Sequence, residues 1–172
     1  MIQVLTEFLG TTQRSLTHLE MRDTYGTGSA GYQAWRAGIP LPEIERLDDY
    51  FTPWDDLVAA SVARGVSVRR ARVVSEPHSD YIAYEHAITP RSNLAGGEDV
   101  RWLPRPQAKD LALPGCDFWQ ADEGLVLWVF QTGDGDPAGY ELSEDPVTVK
   151  LCSSAFEAVW QRAIDHGEYR PA

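Results

Sequence analysis

The chain has 172 residues, 43% of them apolar, with six Trp, seven Tyr and five Phe; that fills the core of one ordinary domain and excludes a disordered segment. Twenty-six acidic residues against 15 Lys and Arg leave a formal charge of −11, which argues against direct nucleic-acid binding because phosphate contacts need a cationic surface. The longest apolar run, 124–130, is too short for a bilayer and the N-terminus carries Glu7 without a basic region, so a cytoplasmic protein with no membrane contact is expected.

One domain over 1–172 is expected, less regular over 1–50 and with its core over 51–169. Val4, Leu5, Phe8, Leu9 and Leu16 recur at roughly helical spacing, interrupted at Gly10. In 16–23, Leu16 and His18 fall out of step with Leu19 and Met21, which suggests a short strand. Residues 25–51 are rich in Gly and Pro and read as loop around a short helix, 30–37. Thr52 as N-cap, Pro53 at the first helical position and Gly65 as terminator predict a helix over 52–64, with Trp54, Leu57, Val58, Ser61 and Val62 on its packed face. The strand "VSVRRARVV" follows at once, placing Val66, Val68, Arg70 and Arg72 on one side. Pro77 and Ser79 open a helix with Tyr81, Ile82, Glu85 and Ile88 or Ala87 at helical spacing. "GGEDVRWLP" predicts a turn into a strand with Val100 and Trp102 on one face. Phe118–Gln120 and Leu125–Phe130 form a hairpin joined by "ADEG" and ended by "TGDGD". A long helix starts at Asp145–Pro146 and buries Val149, Cys152, Phe156, Val159, Trp160 and Ala163. A helix feeding a strand through a short turn makes the expected class α/β or α+β, a mixed sheet flanked by helices.

The strings "HLEMRDTY", "RGVSVRRARVVSEPHSDYIAYEHAITPRSNLAGGEDVRWLPR", "LPGCDFWQADEGLVL" and "DPVTVKLCSSAFEAVWQRAIDHGEY" resemble the bacterial DUF6879 family over nearly the whole chain. Its members are often encoded beside helix-turn-helix regulators, and no activity comes with the resemblance. The order of elements is also similar to half of a phospholipase-D-like domain, a fold that includes non-catalytic sensor modules of transcription regulators. Catalytic members of that superfamily carry His-x-Lys followed by Asp on and after a hairpin strand. The comparable stretch here is "CDFWQADEG", with neither His nor Lys, so the resemblance implies no phosphodiesterase chemistry.

Four arginines, Arg64, Arg69, Arg70 and Arg72, crowd nine positions. Three readings remain open for Arg70 and Arg72. They lie on an edge or solvated strand, the simplest reading; or they pair with carboxylates of a neighbouring element; or they clamp a ligand's phosphate or carboxylate. If they pair, Glu98 on the adjoining strand is the first choice. Asp80 and Glu85 are five positions apart and do not share a helix face, so they are no obvious acid/base pair; Asp80 suits the helix N-terminus. His86 beside Glu85 lacks the second helical His of a metalloprotease motif. The two glycines before Glu98 read as a structural turn, and "DGDP" as a solvated turn rather than a Ca²⁺ loop. Of Phe118, Trp119 and Trp128, at least one is expected to face outward as a binding feature or a second core layer. Cys116 and Cys152 are expected as reduced thiols, and with four His they form no ligand spacing, so neither metal nor cofactor is expected.

With no nucleophile–base–oxyanion set in view, the expected function is a non-enzymatic regulatory or sensor module. It would work through a protein partner, with a helix-turn-helix regulator as the implied class, or through a small anionic ligand. The rival is a small enzyme acting on an anionic metabolite by acid/base or electrostatic catalysis. The candidate binding residues under either reading are Arg70, Arg72, Tyr81, Glu85, Glu98, Arg101 and Trp119.

Overall fold

In the computed structural model, which describes residues 2–46 and 52–171 (side chains 4–46 and 55–171), the chain opens with α1 (Ile2–Thr11) and β1 (Ser15–Glu20). Next come the short helices α2 (Ala30–Arg36) and α3 (Leu41–Ile44), then α4 (Thr52–Ala63), β2 (Ser67–Val74), α5 (Asp80–Ser92) and β3 (Asp99–Pro104). The C-terminal part runs β4 (Asp117–Ala121), β5 (Leu125–Gln131), β6 (Pro137–Ser143), α6 (Pro146–Arg162) and β7 (Ile164–Asp165). The expected roles of Thr52, Pro53 and Trp54, and the loop expected over 47–51, lie outside the described side chains and residues.

One mixed sheet organises these elements, in the order β6-β5-β4-β1-β2-β3-β7. β1, β2 and β3 are parallel neighbours, and parallel strands need crossover connections, which α4 and α5 supply. β4 runs antiparallel to β1, and β5 and β6 continue that side as a meander. The strand predicted with least regularity, β1, therefore sits mid-sheet between β2 and β4. β6 has no counterpart in the sequence-based prediction, which ended the hairpin at "TGDGD".

Side chains alternate across a strand, and each face found its own cover. On one face, Leu19, Ala71, Val73, Leu103, Phe118 and Val126 pack with Cys152, Ala155, Phe156 and Val159 of α6. On the other, Leu16, Val68, Trp119 and Leu127 pack with Phe8 and Leu9 of α1 and Val58 of α4, while Val100 and Trp102 meet Ile82 of α5 and Tyr169. Of the predicted stripe of α6, Cys152, Phe156 and Val159 are buried together with Ala155; Val149, Trp160 and Ala163 are half-buried beside them, and Trp128 is half-buried against the same core. α1 continues through Gly10 to Thr11.

Local signals set the element ends. The Ser79 hydroxyl accepts from Ile82 N–H, and Asp145 accepts from Thr148 N–H with Pro146 following; both satisfy helix donors that would otherwise be orphaned. The β4–β5 turn holds Asp122 and Glu123 at φ 52° and 58°, the left-handed central pair of a turn that Gly124 N–H closes by donating to the Ala121 carbonyl at 3.0 Å. The Asp122 carboxylate accepts from the N–H groups of Gln13, Arg14 and Ser15 at 2.9, 2.6 and 3.0 Å. The hairpin is thereby tied to the start of β1. Among the described residues no helix is long and apolar enough to cross a membrane.

Candidate functional site

The helical-cover face of the sheet that carries Leu16 and Val68 also carries charge. Parallel register sets His18 beside Arg70 and Glu20 beside Arg72, and antiparallel register sets His18 beside Trp119. A polar row therefore crosses β4, β1 and β2 beneath α5, between two apolar clusters. This corrects the edge-strand reading of the arginines: β2 has β1 on one side and β3 on the other. Arg70 and Arg72 are both buried, at 6% and 5% exposure.

Their partners form a closed network. Arg70 Nε donates to Glu98 Oε1 at 2.8 Å, and its Nη1 donates to Glu20. Arg72 Nε donates to the second Glu20 oxygen at 2.5 Å, and Arg72 Nη1 donates to Thr89 Oγ1 at 2.8 Å. Glu98 accepts in turn from Asn93 Nδ2 at 2.6 Å. The turn before β3 aims it there, with Gly97 at φ 88° ending a short 3-10 segment. His18 Nδ1 donates to the Phe118 carbonyl at 2.7 Å, and its Nε2 lies 3.1 Å from Glu20. The His18 ring stacks on Trp119 with centroids 3.8 Å apart. The Arg70 guanidinium lies over Trp119 at 5.1 Å and that of Arg72 over Trp102 at 4.9 Å, so aromatic faces also receive the desolvated charge.

The electrostatics follow from that geometry. Burial by itself raises the Glu20 carboxyl, yet Arg70 and Arg72 outweigh it and hold Glu20 well below its ordinary range. Burial lowers both arginines, and Glu20 with Glu98 or Glu85 more than restores them. Glu85 differs. It is 3.6 Å from Arg72, its Oε2 is buried without a hydrogen-bond partner, and burial pushes its carboxyl up to about 7. Asp117 is raised, by burial first, and Tyr25 is raised well above its usual value by burial and the charges of Glu20 and Asp117. Asp117 accepts from Met21 N–H at 2.9 Å. Burial thus favours the protonated form of Glu85 and Asp117 in this interior.

Of the candidate residues named from the sequence, Arg70, Arg72, Glu85, Glu98 and Trp119 come together here. Arg101 does not. It stands on the opposite face, where it donates to the Trp160 carbonyl at 3.1 Å and lies over the Trp160 ring at 4.3 Å. Alternation along β3 puts Arg101 out of phase with Val100 and Trp102, so it cannot share their side. Tyr81 stands outside the arginine network, in an aromatic group with Tyr25, Tyr32 and Tyr84 that meets the acidic end of the network through Tyr25. His18, Glu20, Asn93, Asp117 and Tyr25 were missed. For His18 and Glu20 a signal existed: both share the two-residue period of Leu16, so a buried face had to carry an acid.

A second cluster lies under the C-terminal segment. His86 stacks on His166 with centroids 4.6 Å apart, Trp102 Nε1 donates to His166 Nδ1 at 3.1 Å, and His78 Nε2 meets Tyr169 hydroxyl at 2.6 Å. Burial, then His166 and His78, push His86 down to about 4. Among the described residues no group of three or more His, Cys, Asp or Glu is arranged to hold a metal ion.

Comparisons with known proteins agree with this architecture. TrmBL2, an archaeal chromatin protein whose structure shows a novel mode of DNA binding, superposes with a TM-score of 0.51 at 14% identity, covering 94% of this chain and 49% of its own. The chain therefore spans about half the length of TrmBL2. Nuc, a phospholipase D family member from Salmonella typhimurium, gives 0.51 at 15% identity, covering 98% and 90% of the two chains. NucT from Helicobacter pylori gives 0.50 at 10% identity, with 95% and 89% covered. These likenesses show a phospholipase-D-like fold. None of the curated proteins matches the chain. The model of DUF6879, a domain of unknown function, matches residues 3–171, and the chain belongs to that family.

Proposed function

We propose that the chain is a non-enzymatic regulatory module that acts through a protein partner, with a helix-turn-helix regulator as the partner class. The observation that carries this reading is the closed network beneath α5. Two buried arginines meet two buried carboxylates, Glu20 and Glu98, and Arg70 and Arg72 each donate through Nε and Nη1 to protein acceptors. An arginine so engaged has little left for a substrate anion. Strand β4, which leads the hairpin where a catalytic relative would carry His-x-Lys, carries Asp117, Phe118 and Trp119. The fold also recurs in TrmBL2, within a chain about twice as long that binds DNA. A chain with charge −11 is ill suited to contact DNA itself, and a regulator that supplies the DNA-binding part from a second polypeptide fits both facts.

The test is affinity capture of the tagged chain from its native cell with quantitative mass analysis, followed by reconstitution from purified parts. A helix-turn-helix protein in near-stoichiometric amount, whose DNA complex is supershifted by the chain, is the expected result. A chain that stays alone, or that shifts duplex DNA unaided at physiological salt, overturns the reading.

A second reading, a small enzyme with an acid/base carboxylate, is favoured by one observation: the partnerless Glu85 oxygen with a carboxyl raised to about 7 beside Arg72. That is the tuning a general acid requires. Turnover of an anionic metabolite that disappears in Glu85→Gln, while the fold stays intact, would establish it in place of the first.

A further inference from the structure

Strand β6 closes one side of the sheet and, among the described residues, pairs only with β5. Its first half is guarded. Pro137 opens it, Gly139 sits at φ 146°, and the register slips between Phe130 and Gln131; proline and bulges are devices that prevent strand addition. Beyond the slip the ladder is regular, Gly139 to Ser143 against Phe130 to Val126. In an antiparallel edge strand alternate residues turn their N–H and C=O groups outward. At that regular stretch Leu142 is 57% exposed although its cross-strand neighbour Leu127 is fully buried.

The segment that forms this edge carries charge of one sign, and Arg22 reaches only the turn before it, at the Thr132 and Gly133 carbonyls. Asp134, Asp136, Glu141, Glu144 and Asp145 flank or lie on β6 and all are exposed, and residues 132–149 contain no Lys or Arg. None of the five is in an ion pair among the described residues, whereas acids elsewhere, such as Asp55, Glu157 and Asp110, each hold an arginine. Two copies of this edge brought together would set these carboxylates against one another, because like charges opposed across strands repel. The edge therefore discriminates between occupants.

We infer that the Gly139–Ser143 edge receives an extended, Lys/Arg-rich segment of a partner protein, added to the sheet as an eighth strand. The outward backbone groups supply affinity, Leu142 gives an apolar side chain its seat, and the five carboxylates select a cationic sequence and reject a second copy. The inference rests on the protein-partner reading above and names the surface that such a partner would use.

The test uses the full chain and two fluorescent decapeptides, one alternating Lys with Val and one alternating Glu with Val. Anisotropy at physiological salt is expected to show binding of the Lys peptide and none of the Glu peptide. The affinity should fall at least tenfold in Leu142→Lys and in Glu141→Lys/Glu144→Lys. The remote Glu43→Lys/Glu45→Lys variant makes the same change in net charge and should bind within about twofold of the parent. Hydrogen exchange with the Lys peptide bound should slow amides within 139–143. Equal weakening by the two double variants, protection elsewhere, or no binding at millimolar peptide overturns the inference. So does a dimer in sedimentation that Leu142→Lys dissolves, which would make the occupant a second copy. Capture of a regulator in the native cell whose complex is insensitive to Leu142→Lys leaves the partner reading standing and removes this surface from it.

Discussion

Arg70 Nε donates to Glu98 Oε1 at 2.8 Å, a contact between the middle of β2 and the residue just before β3. Glu98 is 1% exposed and also holds Asn93, so neither charge has water to fall back on. The pair joins the parallel core of the sheet to the end of α5.

Truncating Arg70 should therefore destabilise strongly. Arg70→Ala leaves Glu98 and part of Glu20 uncompensated, and breaking a buried pair by removing one partner costs about 3–5 kcal/mol. Glu98→Ala should cost a similar amount. The double variant should be less harmful than the sum, with a coupling of at least about 1 kcal/mol, measured by urea unfolding of all four proteins. Additivity would mean that the two residues do not act as a pair.

Glu85 gives a pH dependence of known sign. Its folded carboxyl is raised to about 7 from an ordinary 4.5, so the folded chain keeps a proton that the unfolded chain releases. The stability linked to it is fully present below about pH 4.5 and is lost as pH rises through about 7. Glu85→Gln keeps the neutral form at every pH. Its stability relative to the parent should improve from about pH 5 to about 7 and level off above that, read by melting temperature. A difference that does not change with pH would show that Glu85 ionises normally. Glu20, held low by Arg70 and Arg72 after their attraction outweighs burial, works in the other direction: its stabilisation is present above about pH 4.5 and fades on further acidification.

His86 has the opposite slope to Glu85. Burial and the neighbouring His166 and His78 lower it from 6.5 to about 4, with Arg72 adding to the effect. The folded chain thus binds a proton less readily than the unfolded one. The associated stability is complete above about pH 6.5 and is lost as pH falls through about 4. His166 adds a geometric reason, because its Nδ1 must stay unprotonated to accept from Trp102 Nε1–H. Replacing His86 by Leu should flatten the loss of stability between pH 6.5 and 4 relative to the parent. An unchanged acid limb would assign that loss to other groups.

Gly31 is required by the packing of α2 on α5. A Cβ there would run into the Tyr84 hydroxyl and lie 3.6 Å from Ile44 Cγ2. Tyr84 is 2% exposed and held by the rings of Tyr32 and Trp35, so it has little room to withdraw. Alanine would gain about 1 kcal/mol of helix propensity, yet overpacking costs about 1–3 kcal/mol, and Gly31→Ala should be net destabilising in thermal melts. In a Tyr84→Phe background, without the hydroxyl, the penalty should shrink. A penalty that persists undiminished would place the clash elsewhere.

Much of the architecture was written in local signals. The caps Ser79 and Asp145, the "ADEG" turn, the buried stripe of α6 and the alternation of β2 and β3 depend on neighbours within a few residues, and each element formed close to its expected bounds. The choice of Glu98 as a partner for the arginines was also legible, since the strand next in sequence across one helix is usually the spatial neighbour. Strand order was not. Whether β2 is an edge or an interior strand depends on β1 and β3 flanking it, a matter of pairing between segments some fifty residues apart (Leu16 with Val68) and some thirty apart (Arg70 with Val100). That pairing brought Glu20 and His18 onto the arginines and turned an apparent surplus of exposed positive charge into a buried, compensated one. The same pairing left Arg101 behind on the far face and β6 at the rim, where the acids on and beside it hold no ion pair among the described residues. Periodicity determines which side chains share a face; only the register and order of strands decide which faces meet, because those are set by contacts that no local stretch contains.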